Sequence, residues 1–188
     1  AVSLEDALDR FGRSYARTKD GDAYTAARML AEWLRARPDQ AAAVGAAVKS
    51  GKIDPQIHPA VFLALELCGT DEARGVLANL VRDPALSEAN RARAASALSD
   101  VPRPTRETTK ALVEASRPNG PELVAGTSER ALGHLASRSD TLEPAVASEV
   151  HDTLERDLAQ APSTSRRIDV IDAVGNSNDK RFVPALEQ

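Results

Sequence analysis

Four helix ends recur along the chain at a spacing that rules out most ways of folding it. They read ALELCGTDEARGVL, ASALSDVPRPTRETTKAL, RALGHLASRSDTLEPAV and IDAVGNSNDKRFVPAL. Each joins the apolar end of an Ala/Leu-rich helix to a small or turn residue, an acidic or Thr cap, and a new amphipathic run. The Ala-Leu steps at 64–65, 97–98 and 131–132 and the Ala-Val step at 173–174 lie about 33 to 42 residues apart, a helical-repeat period. One such helix pair cannot bury its apolar face alone, whereas stacked pairs share a continuous core.

Between these points the helix signals follow one another and strand patterns are absent. Ser3 caps a run with Leu4, Leu8, Phe11 and Tyr15 on one face. Residues 22–38 place Ala27, Leu30, Trp33 and Leu34 on one side and stop at Pro38. A weaker Ala-rich helix ends at Gly51, and HPAVFLALELCG is apolar nearly all round, the pattern of a helix covered on several sides. Thr70, Ser87 and Thr105 are expected N-caps, and Pro121 is expected in a first turn, where a missing N–H is harmless. The stripe of the first of these helices is Ala73, Val76, Leu77, Leu80 and Val81, and that of the helix after Pro121 is Val124, Ser128, Ala131, Leu132 and Leu135. Val146, Val150, Leu154 and Leu158 recur at steps of four. Ile168, Ile171 and Val174 predict the face of the next helix, with Gly175 as its left-handed stop. An eleventh helix then begins, so an array that continues past residue 188 is expected. Phe182, Val183 and Leu186 share its apolar face, expected to pack partly on helix 164–175 and partly against a neighbouring molecule or a further repeat. Aromatics make up only 3% of the chain, so Ala and Leu rather than large rings must fill the core.

Arg91 with Ala94, Ala95, Ala97 and Leu98 resembles the second helix of a HEAT repeat, as does Arg167 with Val170, Ile171, Ala173, Val174 and Gly175. The resemblance implies an all-α chain forming an α-α superhelix, a HEAT-like solenoid of about five antiparallel helix pairs and the start of a sixth. Residues 1–188 form a single such domain in this reading. In residues 1 to 55 only helix pairing supports it. Residues 63 to 180, with GTDEA, PRPT, ALGHL and VGN in order, are also similar to the helical domain of the vitellogenin and microsomal lipid-transfer family. That resemblance implies only the helical arch, because the β-sheets that line the lipid cavity have no counterpart here. It tilts the expected location toward secretion or the cell envelope.

The residues do not assemble a reaction. His58, His134 and His151 are scattered, there is no His-Glu dipeptide, and no G-x-S-x-G or phosphate-cradling Gly loop occurs. His134 is expected to pack or to snorkel, and His151 with Asp152 to lie on a polar helix face. Glu155, Asp157, Asp169 and Asp172 are expected on outward faces. No metal, cofactor or catalytic residue is expected. Cys68 is expected as a small core residue. The net charge of −4 with interspersed signs argues against nucleic acid, and no run spans a membrane. Trp33 and the acids lack the basic groove of a HEAT-like glycosylase. Arg91 and Arg167 are read as pairing with acids near repeat turns, Asp83 serving Arg91, rather than binding an acidic partner. The expected function is a non-catalytic repeat scaffold or protein-interaction module with a protein partner. The alternative is the arch of a secreted or envelope lipid carrier, lipid then being held by other parts of the protein. A third reading is a HEAT-like lyase or hydroxylase.

Overall fold

A computed structural model of the chain describes residues 3–17 and 23–187; Asp22, at the start of the second expected helix, lies outside them. The helices are α1 (Leu4–Arg17), α2 (Ala23–Arg35), α3 (Ala41–Lys49), α4 (His58–Cys68), α5 (Asp71–Arg82) and α6 (Glu88–Asp100). They continue as α7 (Arg106–Ala115), α8 (Glu122–Ala136), α9 (Pro144–Gln160), α10 (Thr164–Ser177) and the single-turn α11 (Val183–Leu186). Short 3₁₀ turns precede α3, α4, α9 and α11, and the described residues contain no strand.

Local chemistry sets the boundaries. The hydroxyls of Thr70, Ser87, Thr105 and Ser163 accept the N–H groups of Ala73, Asn90, Thr108 and Arg166. Each thereby satisfies an orphan donor of the first turn. Gly69 closes α4 in the left-handed region at φ 65°, where a side chain would be strained. Pro121 occupies the N-cap of α8, one position before the expected first turn.

The packing forms two layers. The even helices stack in series, α2 on α4, α4 on α6, α6 on α8 and α8 on α10; the odd helices do the same from α3 through α9. Within pairs, α1 packs on α2, α5 on α6, α7 on α8 and α9 on α10. Their connectors are short, so packed neighbours run antiparallel. The helix α3 packs chiefly on α5. Its Gly45 permits this, because a Cβ there would stand 2.7 Å from Val76 Cγ1. The Ala-Leu steps of the sequence all fall on even helices and inside the core: Ala64, Leu65, Ala97, Leu98, Ala131, Leu132, Ala173 and Val174 are all buried.

Two expectations about the last repeat change. The helix α10 continues through Gly175 and stops at Asn178, which takes the left-handed conformation at φ 53°. Its packed face is Arg166, Val170, Ala173, Val174 and Ser177, while Ile168 and Ile171 are exposed. The cause lies on α8. A Cβ on Gly133 would come within 2.7 Å of the Ala173 Cα and carbonyl carbon, so the two backbones touch at Ala173 and fix the rotation of α10. Beyond it, Phe182 is buried while Val183 and Leu186 stay exposed, and α11 packs on α9.

Candidate functional site

The charged residues are first of all structural. Helix C-termini leave carbonyls open and carry partial negative charge, and in this chain arginines from other helices meet them. Arg35 at the end of α2 donates to the Leu67 and Cys68 carbonyls at the end of α4 (Nε to Cys68 O, 3.2 Å). Arg138, just past α8, reaches the Ser99 and Val101 carbonyls ending α6. Arg74 donates to Gly69 O at 2.8 Å and Arg91 to Val81 O at 2.9 Å. Arg91 therefore docks on a backbone carbonyl; Asp83 takes Lys49 as its ion-pair partner at 2.5 Å, and Lys49 first, with the Arg91 charge adding to it, holds the carboxyl below the ordinary range. Arg82 joins α5 to Glu107 and Glu114 of α7.

The residue expected to stack the last repeat was Arg167; the structure uses Arg166. Arg167 is exposed, whereas Arg166 is buried and donates to Glu129 Oε1 of α8 and, at 2.7 Å, to the Ser116 carbonyl ending α7. Ser116 Oγ donates to Asp157 Oδ2 of α9 at 3.5 Å, and Asp157 also takes two bonds from Arg156 at 2.7 and 2.9 Å. Beside this core Arg130 pairs with Asp169. Of the four acids expected on outward faces, Asp157 is therefore buried and Asp169 is tied down, while Glu155 and Asp172 are exposed.

Burial dominates the protonation of Glu129. Loss of water pushes its carboxyl up to about 8, the Arg166 charge opposes the shift, and Asp157 and Asp169 add to it. Glu66 on α4 is pushed up to about 7 by burial and by Asp100. Glu129 is buried inside the helix stack and Glu66 is half-buried, both at places the sequence did not single out. The only signal for Glu129 was its place beside the Ser128 stripe of α8.

The histidines are not brought together. His58 is buried and bridges repeats, with Nε2 3.1 Å from Ile53 O and Nδ1 against the Asn90 amide. His134 is exposed, 3.4 Å from Asp100. His151 stacks on Phe182 with ring centroids 4.5 Å apart. Cys68 is buried against Thr70, and Arg37 lies over the Trp33 ring. His151, Asp152 and Glu155 bring one nitrogen and two carboxylate oxygens within 4.8 Å of one another. All three come from one helix. His151 Nε2 is buried without an acceptor, so a cation on Nδ1 would lack the outer hydrogen bond that normally orients a histidine ligand.

What remains open is surface. A groove of about 870 Å³ runs between α1 and α3, floored by Leu4, Leu8, Ala47, Ile53 and Ile57 and rimmed by Glu5, Lys52 and Asp54. At the other end of the stack, α10 and α11 expose Ile168, Ile171, Val183 and Leu186. Among the described residues no helix is long and apolar enough to cross a membrane. No family model, curated protein or solved structure matches the chain.

Proposed function

We propose that the chain is a non-catalytic repeat scaffold of HEAT type that binds a protein partner. The observation that supports this most is the groove between α1 and α3. It is a large, mainly apolar concavity with both charge signs on its rim, and it lies where the odd layer is open. Grooves between helices of this kind accept an amphipathic helix or apolar segment. The groups that could do chemistry are meanwhile engaged in holding neighbouring helices together, as Arg166, Glu129 and His58 are.

Ala46 lines the groove, is exposed and sits in a helix, so Ala46→Arg fills the seat without touching the core. A partner captured in cells by photo-crosslinking from Ala43 should bind the purified wild-type chain and lose at least about tenfold in affinity to Ala46→Arg. The helical signal and melting temperature should stay unchanged. A partner indifferent to every groove substitution, or turnover of a substrate by the purified chain, would overturn the reading.

A further inference from the structure

The outer face of α10 has a pattern that the fold does not use. Arg167, Ile168, Ile171 and Asp172 occupy positions g, a, d and e of one heptad, with Thr164 and Gly175 as the small residues continuing the a/d seam. Ile168 is 54% exposed and Ile171 43%, on the side directed away from the buried face that packs on α8 and α9. Arg167 and Asp172 are exposed, and neither side chain has a hydrogen bond or ion pair among the described residues. Asp169, on the same helix, is already held by Arg130 and belongs to the packed side.

We propose that this face is a self-association seat, on which a second copy of the chain lays its own α10 parallel to the first. Ile168 and Ile171 of the two protomers form the seam, and Arg167 of each pairs with Asp172 of its partner. The charges choose both the occupant and the orientation. In a parallel pair a g side chain meets the e side chain five residues further along the partner, and 167 to 172 is that interval. The same face turned antiparallel sets g beside g and e beside e, so Arg167 meets Arg167 and Asp172 meets Asp172. The interface is therefore complementary to itself in one orientation only. Even helices are the layer that stacks in series, so the partner's α10 lies on one side of α10 as α8 lies on the other. Gly175 at the end of the seam removes the side chain that would hold the backbones apart, since a Cβ there meets nothing within 4 Å in the protomer. The α10 face lies at the end of the stack opposite the α1–α3 groove, so self-association there is independent of docking in the groove.

Sedimentation velocity of the full chain over a concentration series into the high micromolar range, at low salt, tests it. The wild-type protein should pass from monomer to dimer. Ile171→Arg should remain monomeric throughout while keeping its melting temperature, because Ile171 is exposed. Arg167→Asp and Asp172→Arg should each weaken the dimer by about tenfold, and the double exchange should recover most of the loss. A wild-type chain that stays monomeric at every concentration would overturn the proposal. So would a dimer unaffected by Ile171→Arg, or a double exchange no better than either single one.

Discussion

Burial gives Glu129 and Glu66 a stake in pH that exposed acids do not have. Their carboxyls titrate at about 8 and about 7 instead of the ordinary 4.5, so the folded chain holds protons that the unfolded chain releases. Such a contribution is complete below the ordinary value and is lost as pH rises through the folded one. The melting temperature should accordingly fall between about pH 5 and about pH 8, and Glu129→Gln should flatten that slope; a steeper or unchanged slope in the variant would refute the assignment. Arg166→Ala removes two charged donors from buried acceptors. It should cost about 1.5–3 kcal/mol in urea denaturation, whereas Arg167→Ala should cost under about 0.5 kcal/mol. Replacing Glu129 and Arg166 together by Leu and Met should be milder than losing Arg166 alone. Which of two adjacent arginines goes inside was not legible in the sequence. The helix carries apolar residues on two faces, Ile168 and Ile171 on one, Val170, Ala173 and Val174 on the other, and periodicity cannot rank them.

At the scale of the helix, what ranks them is a glycine on the neighbour. Gly133 of α8 admits the Ala173 backbone, and contact of that kind leaves no trace in the sequence of α10 itself. The same helix shows how a stop is misread. Gly175 is the usual residue for a left-handed end, yet it remains helical and Asn178 takes the left-handed turn. The two glycines should therefore respond in opposite directions. Gly133→Ala should destabilise by about 1–3 kcal/mol through overpacking. Gly175→Ala, measured in the monomeric Ile171→Arg background, should stabilise by about 0.5–1 kcal/mol through helix propensity. A loss of stability at Gly175 would return the left-handed stop to that position. Elsewhere the helices were readable because their signals are local: the Thr70, Ser87 and Thr105 caps and the four-residue steps of α9 all stand as expected. The candidate surfaces were less so. The α1–α3 groove depends on how two distant helices lean. The α10 face depends on which of its two apolar stripes is left over.

Across the whole molecule, the period of the Ala-Leu steps carried the architecture, because each step falls on a buried stretch of an even helix. The bonds between repeats follow the same order. Arg35 reaches Cys68, His58 reaches Asn90, Arg82 reaches Glu114 and Arg130 reaches Asp169, each spanning 32 to 39 residues. A chain held this way is quasi-one-dimensional, with stability built from each pair and its contacts to the next. Among the described helices of one protomer, the inner pairs have neighbours on both sides and the outer ones on one side. Native-state hydrogen exchange tests this most directly. Protection should peak across residues 70 to 100 and decline stepwise toward α1 and toward residues 178–187. Uniform protection from α1 to α11, as in a globule that opens only all at once, or a maximum at either end, would contradict the stacked-repeat account.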